Sequence, residues 1–457
     1  MLQLDGLALE LLAPVAIWVF LSGLDDVLLD LGSVWFWLRS RPWRRRRAPA
    51  TTNSAPTPRI ALLVPCWREA DVIGRMLERN LRSIRYSNYD VWVGLYPNDR
   101  ESVDAVRGLA VRDARVRYVV GGRPGPTTKA DNLNRLFQGI LKHEREAGVR
   151  YEAFLQHDAE DVIDPDSLSL TAELLQDHDF IQFPVLPLAT PVEKWTHGVY
   201  CDEFAEGHLR DLPARSQIGG FLPSAGVGTA LSREAVDRLR ILDGDSIFDP
   251  RSLTEDYFLG LQVWRLGLRQ CFAPSTGGGG RRTATRAFFP ENFRAAVRQR
   301  TRWVIGTTLQ AWERFGWIRR PGQAYWLWRD RKGLVGHPVS ILANLLFLYG
   351  AGGAASAALG GVEWRLGSAV LERPWLVQLL AANLALLIWR QAARIFLTSR
   401  VYGIRVGAAA PLRSLWANVI NAAAVARALA IWAKARFLRT PLRWAKTAHA
   451  FPAASDG

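Results

Sequence analysis

Between Val339 and Leu359 the chain runs for 21 residues without a charged side chain. As a helix rising ~1.5 Å per residue, that run is long enough to cross the ~30 Å hydrocarbon core of a bilayer. Gly350, Gly352, Gly353 and the alanines around them supply the small residues that let helices pack closely in lipid. Whatever else the chain does must therefore be organised around a membrane. A second apolar run, Pro374 to Trp389, continues past Arg390 and Arg394. It reads as a crossing whose cytoplasmic end snorkels its arginines. Nearer the amino end, Leu11 to Leu24 is apolar, flanked by Glu10 and by Asp25-Asp26, and Val27 to Leu38 is apolar again apart from Asp30. This predicts one crossing from Leu7 to Leu24 followed by a Trp-rich interfacial helix, with an amphipathic hairpin that never crosses as the alternative. No cation precedes the apolar run and no small-residue cleavage site is evident, which argues against a cleaved signal peptide. Leu412 to Ala433 is also apolar but carries Arg413 and Arg427. A fourth crossing would strand Lys434 to Lys446 on the wrong side, so this segment is expected to lie in the interface.

The placement of charge supports the same picture. Lys and Arg number 58 against 43 Asp and Glu, a formal balance of +15. Arg39, Arg41 and Arg44 to Arg47 have no acid among them, and Pro374 to Ser455 holds eleven cations and no acid. The remainder is nearly neutral. A nucleic-acid partner would need its basic face on the folded body, so nucleic acid is excluded as the expected partner and membrane lipid takes its place. The arginine block, together with Arg319, Arg320, Arg329, Arg331 and Lys332, puts the intervening region in the cytoplasm by the positive-inside bias. Cys66, Cys201 and Cys271 are isolated, as expected in a reducing compartment and unlike a disulfide scaffold or zinc site. The expected organisation is 1–47 (crossing, interfacial helix and arginine cluster), 48–330 (a soluble domain) and 331–457 (two crossings and basic interfacial helices).

Within the soluble region, Arg59 to Val64, Val91 to Leu95, Arg117 to Val120 and Ala153 to Gln156 read as strands. Ala70 to Ser83, Ser102 to Ala110 and Ala130 to His143 read as helices. Such alternation predicts an α/β domain with a mostly parallel sheet, whose ligand sites lie beyond the strands' carboxyl ends. The polar clusters fall there. Asp158 and Glu160, in Gln156-His157-Asp158-Ala159-Glu160-Asp161, can share one hard cation that also binds phosphate oxygens; an acidic surface turn fits equally. Lys129 opens a helix after Gly121 to Pro126, where a cation suits a diphosphate, or is simply the first helical turn. Thr254-Glu255-Asp256 is either a carboxylate pair for chemistry or a helix cap. Gln299, Arg302 and Trp303 share one face of a helix. They offer an amide, a fork for diphosphate and a plate for a sugar, or a helix resting on the membrane.

Taken in order, Asp-x-Glu-Asp, Thr-Glu-Asp and Gln-x-x-Arg-Trp between membrane segments resemble the family 2 glycosyltransferases of GT-A, Rossmann-like fold. The resemblance is to their membrane-bound members, and it covers about Leu7 to Pro452. Val64-Pro65-Cys66-Trp67-Arg68-Glu69, Tyr96-Pro97-Asn98-Asp99, Pro124-Gly125-Pro126-Thr127, Pro223 to Thr229 and Ser252 to Tyr257 are similar to the bacteriophage-adsorption group of inner-membrane glycosyltransferases. The resemblance implies that Glu69, Asp99, Lys129, Asp158 and Arg302 bind a UDP-sugar. It implies Mg²⁺ or Mn²⁺ on Asp158 and Glu160, Asp256 as general base beside Glu255, and Gln299, Trp303, Gly226 and Gly228 facing the acceptor. The implied partners are a glycan or lipid-linked acceptor and an export or outer-membrane component, at the bacterial inner membrane. Two positions depart from the pattern. Arg68 stands where an Asn is usual, and Glu160 replaces an Asp, which makes Asp161 a substitute ligand to consider. Members of that group can carry a further carboxy-terminal regulatory domain; with the chain stopping at Gly457, none is expected. The expected reaction is inverting transfer from a UDP-sugar to a growing glycan. Single transfer to a polyprenyl-phosphate lipid is the alternative, and a non-catalytic membrane component of a receptor or secretion complex is the alternative of another class. Pocket size is expected to depend on Gly277 to Gly280 and Pro223 to Thr229.

Overall fold

The computed structural model describes residues 2–44, 57–242, 244, 246–274, 283–360, 364–440 and 442. Gly277 to Gly280 and Arg45 to Arg47 lie outside them. Among the described residues the central sheet has seven strands, in the order β3-β2-β1-β4-β7-β5-β8. They are β1 (Ile60–Pro65), β2 (Tyr89–Leu95), β3 (Val116–Val120), β4 (Ala153–Gln156), β5 (Phe180–Gln182), β7 (Thr229–Ser232) and β8 (Gln270–Phe272). All neighbours are parallel except that β7 runs antiparallel to both β4 and β5. A second sheet pairs β6 (Val185–Pro187) with β9 (Thr285–Ala287), also parallel. This is the expected α/β arrangement, and the first four strands and three helices fall within a few residues of their predicted bounds.

β1 and β2 are almost wholly buried, as central parallel strands covered on both faces must be. One face packs Ile60, Leu62 and Val64 against Ile73, Met76 and Val106. The other packs Ala61 and Leu63 against Leu133, Leu136 and Phe154. The chain runs from β1 to β3 in one direction and returns on the far side of β1 as β4. A crevice opens at that switch point, beyond Pro65 and Gln156.

Four helices among the described residues are long and apolar enough to cross a membrane; their apolar stretches are Leu4–Trp35, Gly333–Ala358, Pro374–Tyr402 and Ala410–Phe437. The amino-terminal one corrects the sequence expectation, because Leu2–Arg44 is a single unbroken helix, about 65 Å long. There is no break at the acids and no hairpin. The physical reason is that each acid finds a distant partner. Asp25 accepts from Tyr325 (2.6 Å) and Lys332 (2.7 Å) and pairs with Arg329. Asp26 pairs with Arg329 and Arg390 (3.2 and 3.3 Å), and Asp30 accepts from Arg210 (3.2 Å) and Trp389 (2.8 Å).

Arginines of the last two long helices are likewise held in protein contacts, including Arg394, for which snorkelling was expected. Arg394 makes a buried fork to Glu206 (3.0 and 2.6 Å) and Arg413 one to Asp202 (2.8 and 2.7 Å). At the other end of Ala410–Phe437, Trp432 and Arg436 reach Glu313 (3.0 and 2.7 Å). Both ends of that helix are thus tied to the region between the first two long apolar helices. It packs lengthwise against the helices Trp195–Glu206 and Phe293–Trp303.

Candidate active site

A cavity of about 460 Å³ occupies the crevice beyond β1 and β4. Its wall includes Glu69, Lys129, Asp158, Glu160, Glu255, Asp256, Gln299, Arg302 and Trp303. Residues spread over more than 230 positions are thus brought to one place.

Lys129 is the first residue of the helix Lys129–Ala147, which Thr128 caps by accepting from the Asp131 amide (3.2 Å). Its ammonium pairs with Asp158 and donates to the Gly226 carbonyl at 3.0 Å. Burial opposes its charge, but Asp158, Glu255 and Asp256 together outweigh that and keep it protonated. Asp158 and Glu160 follow β4 directly. Asp161, considered above as a substitute ligand, also lines the cavity. Its buried carboxylate accepts from the Asp158 amide (2.9 Å) and meets His157 Nδ1 (2.9 Å), fixing the turn that presents its neighbours.

Glu255 and Asp256 begin the helix Glu255–Arg265. Burial, and then the charge of Asp256, pushes Glu255 up to about 7 against the pull of Lys129. Burial likewise raises Asp256, while Lys129 and Arg302 oppose it. One Asp256 oxygen accepts from the Tyr257 amide at 2.7 Å. The next residue is itself anchored, since the Tyr257 hydroxyl donates to Asp330 (2.6 Å), which also takes a fork from Arg215 (2.8 and 3.1 Å).

The helix Phe293–Trp303 starts at an Asn292 cap and runs into a π-helical stretch, Val304–Gln310. Gln310 accepts from the Leu253 amide (3.0 Å) and so docks this stretch on the turn before Glu255. Arg300 holds the opposite face through Glu203 and Asn421 (both 2.6 Å). Gln299, Arg302 and Trp303 are left to the cavity, as their spacing predicted. Gln299 Oε1, Arg302 Nε and Thr254 Oγ1 are buried without a hydrogen-bond partner among the described residues. Buried polar atoms are rarely left unpaired, and these three sit on the wall of one cavity.

Three expected residues lie behind the wall. Asp99 is buried and accepts from the Arg68 amide at 2.6 Å. Arg68 itself has a φ of 53°, so Asp99 holds the unusual backbone that follows β1. Gly226 has a φ of 77°, and a Cβ there would stand 2.6 Å from Asp256 Oδ2. Its carbonyl accepts from Lys129 and from Gln156 (2.7 Å). Gly228 is part of the sheet's backbone, donating to Gln156 O (2.8 Å) and accepting from Phe183 (2.7 Å).

Several wall residues were given no role from the sequence. On the β1–β2 side, Trp67 packs edge-on against Tyr96 (5.0 Å), whose hydroxyl is 2.7 Å from Thr127 Oγ1. Trp67 and Tyr96 follow strands, so the strand-end rule could have found them. On the β6–β9 side stand Phe204, His208, Phe288 and Phe289. Phe288 and Phe289 follow β9, whereas nothing in the sequence marks Phe204 and His208.

Residues 58–306 match the family described as glycosyltransferase like family 2. The chain belongs to glycosyltransferase family 2. Its sheet is the GT-A fold of that family, flanked by helices apolar enough to span a membrane. This glycosyltransferase is 37% identical over 466 aligned residues to bacteriophage adsorption protein B of Escherichia coli strain K12, covering 96% of the chain. It matches bacteriophage N4 adsorption protein B of Escherichia coli O157:H7 to the same degree. The chain spans 61% of the length of either relative. Among solved structures it is similar to the mannosyltransferase PcManGT from Pyrobaculum calidifontis, in complex with GDP-Man and Mn²⁺. That match has a TM-score of 0.49 and 16% identity and covers 82% of this chain and 98% of the other.

Proposed function

We propose that this glycosyltransferase transfers a sugar, with inversion, from a UDP-sugar to the end of a growing glycan at the cytoplasmic face of a bacterial inner membrane. The observation that carries the reading is the convergence of a carboxylate pair, two cations and three unpartnered polar atoms on one cavity. Asp256 takes the proton of the acceptor hydroxyl as that oxygen attacks the anomeric carbon, and the anomeric bond to the diphosphate breaks. Lys129 and Arg302 offset charge on the departing diphosphate. Glu69, Trp67 and Tyr96 line the side where the nucleotide rests, and Asp99 holds its floor. Gln299 and Trp303 meet the acceptor, over the turn shaped by Gly226 and Gly228.

Asp158 and Glu160 suit Mg²⁺ or Mn²⁺. Among the described residues no three His, Cys, Asp or Glu side chains are grouped to hold a metal alone. Such cations commonly bind through one or two carboxylates plus substrate phosphates, which is the donor set these acids and a diphosphate provide. The metal would supply Lewis-acid stabilisation of the leaving group. Asp158 is paired with Lys129, which sets an acid for the cation beside a lysine for the diphosphate.

The division into 1–47, 48–330 and 331–457 belongs to the same reading, as does a cytoplasmic catalytic domain. The two tethered ends of Ala410–Phe437 support an interfacial position for that helix, leaving three crossings. The names of the relatives point to a product that reaches the cell surface, with an export or outer-membrane partner.

Purified protein offered UDP-glucose, UDP-N-acetylglucosamine and UDP-N-acetylmannosamine is expected to release UDP from one of them, and chelation is expected to abolish UDP binding. Asp256→Asn should lose turnover and keep UDP binding; retained turnover would sink the base assignment. Radiolabelled donor should yield long ethanol-insoluble chains. An organic-extractable product would favour the lipid acceptor instead, and failure with every donor the non-catalytic reading.

A further inference from the structure

The cavity wall on the β6–β9 side differs in kind from the rest. Val185, Phe204, Ala287, Phe288, Phe289 and Trp303 give it an apolar and largely aromatic surface. Phe204 lies 4.7 Å from Phe289 and 6.3 Å from Trp303, centroid to centroid, and Tyr200 braces the group from behind. Set into this surface is a polar side chain, His208, carried on the π-helical turn Gly207–Asp211. Its ring is stacked flat on Phe204, 5.2 Å between centroids and 7° between planes.

The Val185 backbone amide donates to His208 Nδ1 at 3.1 Å. A nitrogen that accepts carries no proton, so the neutral ring holds its hydrogen on Nε2. Burial pushes the imidazole down to about 3, so the ring stays neutral throughout the physiological range. Nε2–H is therefore a single donor of fixed tautomer and fixed ring plane, and no described residue accepts from it.

We propose that this aromatic wall is the subsite for the acceptor's terminal sugar and that His208 Nε2–H donates to one of its ring-substituent oxygens. The inference rests on the glycosyltransferase reading above and sharpens it to the acceptor class. A sugar presents a C–H face that stacks on aromatic rings and hydroxyls that need a donor. A polyprenyl phosphate presents an anion, and this surface offers it no cation among the described residues. Lys129 and Arg302, cations elsewhere on the wall, are the ones assigned to the donor diphosphate. Burial keeps His208 neutral, so it adds no cation to this surface either.

The test uses the full-length protein in detergent, the donor that releases UDP in the screen above, and as acceptor the short oligosaccharide that the wild type makes when donor is limiting. His208→Phe keeps the stack on Phe204 and removes the donor; His208→Gln restores an N–H near the Nε2 position. The expected result is a rise of about tenfold in acceptor KM for His208→Phe, with UDP affinity unchanged and substantial recovery in His208→Gln. Phe288→Ala, which leaves the imidazole alone, should raise acceptor KM as well and serves if His208→Phe fails to bind UDP. Unchanged acceptor KM in the folded variants would overturn the proposal, as would saturable use of undecaprenyl phosphate that His208→Phe leaves untouched. Failure of the glycosyltransferase reading itself looks different, because the wild type would then release UDP from none of the donors.

Discussion

Substituting Gly226 by Ala tests how closely the base is positioned. Two costs can be worked from the structure. The first is conformational, because φ is 77°, a region that an L-residue enters at roughly 1–2 kcal/mol. The second is steric, because the new Cβ would stand 2.6 Å from Asp256 Oδ2. Asp256 is a short side chain with its other oxygen held by the Tyr257 amide, so relief comes by moving the carboxylate or by moving the Gly226 turn. That turn also carries the carbonyl that holds Lys129 and Gln156. A displacement of about 1 Å at a reacting group costs on the order of 100-fold in rate. Gly226→Ala is therefore expected to lose about two orders of magnitude in kcat and to destabilise by about 2 kcal/mol, with a smaller effect on UDP affinity. Gly148→Ala is the control. Gly148 has a φ of 64° and open space at its Cβ position, so it carries the conformational cost alone and should keep its turnover. UDP release under saturating substrate, with thermal unfolding measured on the same samples, separates the two terms. If Gly226→Ala turns over within about threefold of wild type while Gly148→Ala behaves as stated, the contact between this turn and Asp256 does not position the base.

Other outcomes follow from the charges of the site and of the long-range pairs. Asp256 must be deprotonated to act, and burial raises it, so kcat/KM should fall as pH drops through a value above the usual carboxylate range near ~4. Lys129→Met removes a cation that favours the charged form, so this acid limb should move to higher pH; a limb that stays put or moves down would contradict the assignment. Arg413→Met strands the buried Asp202 carboxylate and should destabilise by about 3–5 kcal/mol. Adding Asp202→Leu should recover most of that in a denaturation series, since no lone charge then remains, and absence of recovery would show that the pair is not the source.

Much of the site is legible in the sequence. The acids at 158, 160, 255 and 256 and the face of Gln299, Arg302 and Trp303 can be read there because they depend on local rules. Ligand groups gather at strand ends, and three residues at helical spacing share a face. Asp161 resists such reading because its partner choice depends on the fold of the turn: the imidazole of His157 and the Asp158 amide claim it first. Asp99 and Gly228 look like ligand contacts in the sequence, and the structure puts them one layer back, holding the backbone that presents the wall. Phe204 and His208 carry no sequence signal at all, since a helical residue with no spacing signature looks like any other core residue.

The long-range charges mark the boundary between the two kinds of knowledge. In the sequence, Asp25, Asp26 and Asp30 look like the end of a membrane helix, and Arg394 and Arg413 like markers of the interface. A buried charge is costly alone and acceptable when paired, and their partners lie between 180 and 364 positions away. No local pattern encodes such a pairing, so the sequence could place the charges beside the membrane without saying what they hold. By itself the sequence determined the α/β sheet, the apolar helices and the order of the chemical groups, because periodicity and strand-end placement act over a few residues. Only the tertiary structure decided that the amino-terminal helix is unbroken, that the last long helix lies along the catalytic domain, and that an aromatic wall completes the cavity. Those features come from contacts between distant segments, and they exist only once the chain has closed on itself.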